Sequence, residues 1–266
     1  MNILKNAISF IKNYWKTLVF FTAIGLIGGF FTGLYLLNSY PENIKEQLIT
    51  ELNNMGLNDF SADVILGIIT AIQSAGYGFV LGAIGIWLAK KIGLWKDEKT
   101  ITKEPLAAAL IIAFVGGLVL ILPDILWFGK KSQAIMDTYA VKPTVPYLIA
   151  TVTYGAVIEE VLLRLFAMSL IAFILHKVFG KKEEKPTATI LMIANITAAL
   201  LFAVGHLPTN FALFGSSFLI IFRCLLLNGV FGLAFGWLYR KYGLRYAMIA
   251  HGGCHIVSKL IWILFI

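Results

Sequence analysis

Seven apolar runs occupy most of the chain, at about residues 17–37, 64–89, 105–128, 146–178, 187–206, 216–239 and 246–266. Each is close to or above the roughly 20 residues that a helix needs to cross about 30 Å of hydrocarbon. Lipid offers no hydrogen bonds to a backbone, so a segment of this kind must satisfy its own polar groups, which a helix does. The patterning predicts an all-α, polytopic integral membrane bundle with about seven to eight transmembrane helices. Of 266 residues, 59% are hydrophobic and 14% charged, which leaves no room for a soluble domain of ordinary size.

The net charge of +8 excludes less than its size suggests, because an apolar chain of this kind is not a nucleic-acid binder; the placement of the bases matters more. Lys5, Lys12 and Lys16 precede the first run. Lys90, Lys91, Lys96, Lys99 and Lys103 fill the second link, Lys177, Lys181, Lys182 and Lys185 the fourth, and Arg240, Lys241 and Arg245 the sixth. The alternate links hold only Lys45, Lys130, Lys131 and Lys142. Positive-inside bias then predicts a cytoplasmic N-terminus and an outer C-terminus, in what is expected to be the cell membrane.

Residues 1–16 place Ile3, Leu4, Ala7, Phe10 and Ile11 near one helical face with lysines beside it, the pattern of an amphipathic interfacial helix. The run that follows is longer than a signal core and ends in bulky residues, so it is expected to stay as a span. Residues 17–266 are then read as one transmembrane bundle. The first outer link carries Glu42, Glu46, Glu51, Asp59 and Asp63 with Ile44, Leu48 and Leu52 at helical spacing, which predicts a small amphipathic cap. Cys224 and Cys254 lie in apolar stretches and say little about redox compartment. Glycines three or four apart in "IGLIGGFFTG" and "NGVFGLAFG" are the spacing that lets helices approach closely in a bilayer.

Polar side chains at membrane depth are expensive and face a cavity or each other. Four places qualify. In "GAVIEEVLLRLFA", Glu160 and Arg164 stand four apart and meet on one helical face, while Glu159 lies about 100° around the helix. Arginine can neutralise one carboxylate and leave the other free; a structural ion pair would not account for the second acid. His206 ends the fifth run, four residues after Phe202. His251 and His255 share a face of the last run one turn apart, a spacing also used for metal binding. Arg223 and Asn228 in the sixth run are read as a structural polar contact.

In this order, "EEVLLR", "FAVGH" and "HGGCH" resemble the EExxxR, FxxxH and HxxxN or HxxxD motifs of the CPBP intramembrane proteases, the group of the CAAX prenyl endopeptidases and their bacteriocin-immunity relatives. The resemblance implies a CPBP-like catalytic core at about 146–266 and an endopeptidase in which Glu159 and His206 activate water. It further implies support from Glu160 and Arg164, and His251 at the oxyanion. His255 stands where the family has an amide or carboxylate, and imidazole donates only in the right tautomer or when charged. The implied substrate is a membrane-associated peptide or protein, lipid-modified or not, with no cofactor. Cys254, between the histidines, points away from their shared face, which disfavours cysteine protease chemistry.

Two alternatives differ in kind. Zinc held by His206, His251 and His255, with Glu159 as base, follows the usual scheme of three protein ligands and a water. A non-enzymatic scaffold, immunity protein or transporter would instead draw on Asp124 and Arg223. Depth is the constraint on the favoured reading. The fourth run would be roughly 48 Å long as a helix against about 30 Å of hydrocarbon. Its overhang into the cytoplasm would bring Glu159 and His206 toward His251, predicting a cavity open to the cytoplasm. The stretch "LPTNFALFG" is expected as a buried or re-entrant link.

Overall fold

The computed structural model describes residues 2–57, 61–97, 100–180 and 183–266. Asp59, Lys99, Lys181, Lys182 and the side chains of Ile3, Leu4 and Ala7 lie outside the described residues. Among the described residues the regular structure is entirely helical. Helix α1 runs Asn2–Ser39, α2 Glu42–Asn54, α3 Ala62–Lys91, α4 Lys103–Lys131 and α5 Gln133–Tyr139. Helix α6 spans residues 145–179, α7 is Ala188–Gly205, α8 Leu207–Phe214, α9 Phe218–Tyr242 and α10 Leu244–Phe265.

Six helical stretches among the described residues are long and apolar enough to cross a membrane: Ile8–Leu37, Ala62–Lys91, Lys103–Lys131, Ala188–Phe214, Phe218–Tyr242 and Leu244–Phe265. The remaining expected run, the fourth at 146–178, is α6, helical throughout but carrying Glu159, Glu160 and Arg164, so the expected seven to eight is approximate. The expected division at residue 16 is not marked by a break, since α1 is one helix from Asn2 onward. The cap expected after the first span is α2, with Leu52 buried beneath it.

The surface is what lipid requires. Ile72, Ile111, Phe114, Leu126 and Leu200 are exposed, while the interior holds Glu160, Arg164 and His251 among the core apolar residues. Apolar burial does not draw helices together where the solvent is itself apolar, so backbone approach and interhelical hydrogen bonds must do so. Gly25, Gly29 and Gly33, one turn apart on α1, form such a seam against α3. A Cβ at Gly25 or Gly33 would lie 2.5 Å from the Ser74 carbonyl oxygen or the Gly67 nitrogen. The Thr70 hydroxyl donates to the Gly29 carbonyl at 2.6 Å across the seam. Gly232 makes the same kind of approach to Ala199 between α9 and α7, and Gly117 to Val257 between α4 and α10.

Helix α6 is the central element, packed on α1, α3, α7 and α10. Thr151–Glu159 and Val161–Met168 wind as wide π-type turns rather than ordinary α-helix. Such turns are rare and recur at functional sites. One end of the bundle is sealed by fully buried Met168, Ala172, Leu238, Tyr239 and Tyr246, with Ser169 and Tyr239 sharing a 2.8 Å hydrogen bond.

Candidate functional site

Glu159, at the end of the first wide stretch of α6, is the centre of the site. Its Oε1 lies 3.9 Å from His206 Nε2 and its Oε2 lies 3.8 Å from His251 Nε2. Neither is a hydrogen bond, since both distances exceed about 3.5 Å. Residues far apart in sequence thus bring two ring nitrogens within 4 Å of one carboxylate, one beside each of its oxygens.

Local chemistry fixes each ring. Helix α7 ends at Gly205, and Pro208, which cannot donate a backbone hydrogen bond, opens α8 one turn on. His206 sits at that junction. Its Nδ1 lies 2.8 Å from the Phe202 carbonyl, and its own carbonyl accepts from the side chain of Asn210 at 2.9 Å. A carbonyl only accepts, so Nδ1 carries the hydrogen and Nε2 of the neutral ring presents a lone pair. His251 is held in the same sense: its Nδ1 lies 2.9 Å from Glu160 Oε1, and Phe235 stacks on its ring with centroids 4.6 Å apart.

Glu160 and Arg164 are paired as the spacing predicts, with Nε to Oε2 at 3.3 Å and both side chains essentially unexposed. The guanidinium donates to the Gly232 carbonyl at 3.3 Å and lies over the rings of Phe202 and Phe235 at 4.7 and 5.5 Å. Phe202 is the aromatic residue of the FxxxH-like stretch, whereas Phe235 was not singled out in the sequence. His255 is brought alongside His251, with ring centroids 5.1 Å apart, but its Nδ1 has no hydrogen-bond partner among the described residues. Beside it, Gly155 leaves the space a side chain would fill: an added Cβ would lie 3.4 Å from His255 Nε2 and 3.8 Å from His251 Nε2. The Cys254 thiol turns to the Ile112 carbonyl on α4, as expected of a residue off the histidine face.

A cavity of about 620 Å³ leads from these residues. Glu159, His206, His251 and His255 line it at one end, and Thr32, Tyr35, Thr138, Tyr139, Lys259 and Trp262 line it elsewhere. These latter residues lie near the C-terminal ends of α1, α5 and α10, at the end of the bundle that the lysine count assigns outside. The expectation of a cavity running to the lysine-rich end is therefore corrected. The physical reason is the packing below the site, where Tyr239, Tyr246 and Met168 fill the bundle completely, while the short helices α5 and α8 leave room at the opposite end. The stretch expected as a buried link is α8, mostly half-buried, with Asn210 buried.

A second polar cluster lines the same cavity. Arg223 donates from Nε to Asp124 Oδ1 at 2.6 Å, from Nη2 to Asp124 Oδ2 at 2.5 Å and from Nη1 to Asn210 at 3.0 Å. The Tyr139 hydroxyl donates to Asp124 at 2.8 Å. The expected partner of Arg223, Asn228, bonds instead to the Cys224 carbonyl at 2.9 Å. One turn of helix separates Arg223 from a residue that prefers its own backbone, whereas Asp124 offers a full charge from another helix.

Among the described residues no three His, Cys, Asp or Glu side chains are grouped as a metal ion requires. The zinc alternative does not fit the residues present, because the three histidines it needs are not gathered closely enough to share one ion.

Residues 141–257 match the family Type II CAAX prenyl endopeptidase Rce1-like. The match takes in Glu159, Glu160, Arg164, His206, His251 and His255, and bears out the resemblance to the CPBP proteases. A CAAX-type intramembrane protease is what this family implies. Residues 1–140 lie outside the matched stretch. No curated protein and no solved structure matches the chain.

Proposed function

We propose that the chain is an intramembrane endopeptidase in which Glu159, with His206 and His251, activates a water for attack on a peptide carbonyl. The observation that carries this reading is the pair of gaps around Glu159, 3.9 Å to His206 Nε2 and 3.8 Å to His251 Nε2. They are too long for direct hydrogen bonds and suit a single water about 2.8 Å from each group.

A hydrogen count refines the roles. With both Nδ1 atoms engaged, neutral rings would aim two lone pairs, and Glu159 a third acceptor, at a water that has two hydrogens. One further proton must therefore sit on the site. His251 is its natural home, because Glu160 accepts from Nδ1, Phe235 covers the ring face, and the resulting charges of Glu159, Glu160, Arg164 and His251 sum to zero. An uncompensated charge in such a setting is costly.

The steps follow. Glu159 takes a proton from water while His206 accepts the water's other hydrogen, which holds the oxygen toward the carbonyl. As the carbonyl carbon becomes tetrahedral, Nε2–H of His251 donates to the developing oxyanion, and His255 stands beside it as a second candidate donor. The proton on Glu159 then passes to the leaving amine, the C–N bond breaks, and the products depart after the new carboxylic acid gives its proton to the amine, as carboxylate and ammonium. No covalent intermediate and no cofactor enters these steps.

The substrate on this reading is a membrane-associated peptide or protein that reaches the cavity from the lipid phase. The test is to purify the protein and its Glu159→Gln variant and compare cleavage of a membrane peptide library with and without chelator. Cleavage by the unaltered protein alone, indifferent to chelator, is expected. Equal activity in both proteins would remove the glutamate mechanism, and loss with chelator, restored by zinc, would revive the metal alternative.

A further inference from the structure

Arg164, Arg223 and Lys259 lie well inside the apolar runs, and the fold pairs the first two with carboxylates, Arg164 with Glu160 and Arg223 with Asp124. Lys259, on α10, has no carboxylate within ion-pair distance among the described residues. An ammonium at this depth is expensive unless something answers its charge. Its Nζ lies over the rings of Tyr147 and Trp262, at 4.7 and 5.6 Å from their centroids. Aromatic faces can hold a cation in place, but they leave its hydrogens unfilled.

The position of this ammonium is specific. Lys259 and His255 line both the cavity that holds Glu159 and a second, smaller cavity of about 350 Å³. That second space is walled by Leu148, Ile149, Val152, Ile256, Leu260 and Ile263, between α6 and α10. An extended peptide with one end at Glu159 therefore meets apolar walls and a single unanswered positive charge as it leaves the reacting centre.

We infer that Lys259 is a specificity-determining residue that binds a carboxylate of the substrate peptide where the catalytic cavity meets this apolar space. The inference rests on the endopeptidase reading and adds a chemical requirement to it. Lys259 is eight residues beyond His251 on α10, about 12 Å along the axis, and Tyr147 is twelve residues before Glu159 on α6, up to about 18 Å. At about 3.3 Å per extended residue, the carboxylate belongs about four or five residues from the scissile bond. Both a free chain terminus and an Asp or Glu side chain present this chemistry.

The test uses the full-length protein in zwitterionic nanodiscs. A cleavable membrane peptide is offered in three forms, ending four or five residues past the cut as a free acid, as an amide, or as an amide with Glu at that position. The expected result is a KM about 10- to 100-fold lower for the free acid than for the amide, the range of one charge-assisted hydrogen bond. Restoration by the internal Glu assigns a side chain as an equal source; failure of that form restricts the site to a chain terminus. Lys259→Met should erase the preference, with the KM of the free acid rising to that of the amide, and Lys259→Arg should keep most of it. Equal loss on acid and amide in Lys259→Met, with Lys259→Arg no better, would mean a structural lysine and would overturn the inference. So would a preference for anionic lipid in place of the peptide carboxylate. Binding of a fluorescein-labelled Leu/Ala peptide, free acid against amide, to the Glu159→Gln protein reads the same preference without turnover. Absence of any Glu159-dependent cleavage would defeat the protease reading, while an acid preference in this binding assay, lost in the Glu159→Gln, Lys259→Met double variant, would still establish the carboxylate site.

Discussion

Shortening Glu159 to aspartate keeps the charge and moves only its position. The two oxygens now stand 3.9 and 3.8 Å from the ring nitrogens of His206 and His251. Removing one methylene withdraws the carboxylate by about 1.5 Å, one carbon–carbon bond, and opens these gaps to about 5 Å. The carboxylate then lies about 1 Å or more from where it can take a proton from the water held by the two rings. Misplacement by about 1 Å costs on the order of 10² in rate. Glu159→Asp should therefore lose about 10²-fold in kcat with KM little changed, and Glu159→Gln, which has no base, about 10² to 10⁴. The side chain is 19% exposed and its ring contacts are longer than hydrogen bonds, so the melting temperature in detergent should hardly move. Quantitative mass spectrometry of a cleaved membrane peptide, beside a thermal melt, makes the measurement. An aspartate variant working at the unaltered rate would refute the shared-water geometry. A melting temperature that falls in step with activity would recast Glu159 as structural.

Arg164→Met leaves the Glu160 carboxylate buried without its partner and should cost about 3–5 kcal/mol of stability; the Glu160→Gln, Arg164→Met pair should cost less than the sum of the two single changes, read by a double-mutant cycle of thermal melts. Gly155→Ala puts a methyl group 3.8 Å from His251 Nε2, in the space the peptide needs, so kcat should fall at least about tenfold. Alanine is the better helix former, so the melting temperature should hold, and a variant that is both active and unfolded at lower temperature would contradict the placement of the cavity. Gly29→Val drives a branched side chain into the Thr70 carbonyl on α3 and should destabilise by at least about 1–3 kcal/mol without a selective effect on KM, checked by melting and by kinetics on the surviving folded fraction.

What could be read from sequence follows from the range of each interaction. Glu160 and Arg164 are one helical turn apart, so their pairing is local geometry and was legible. The convergence of Glu159, His206 and His251 was legible through motif order, which resembles a known pattern, rather than through spacing. Two features were not. Arg223 and Asp124 are 99 residues apart, and nothing nearby in the chain distinguishes that partner from Asn228. The direction of the cavity depends on which end of the bundle large side chains fill, and Tyr239 and Tyr246 look like any other aromatic residues until the helices around them are placed. The wide turns of α6 are equally silent in the sequence, because the residues of Thr151–Glu159 would suit an ordinary helix as well.

Both imidazoles at the centre are pinned from behind, one to the Phe202 carbonyl and the other to Glu160. Rings anchored in this way are held against rotation. On the endopeptidase reading, discrimination would then reside in how a chain is threaded, and the choice of cut in its alignment before any bond is strained.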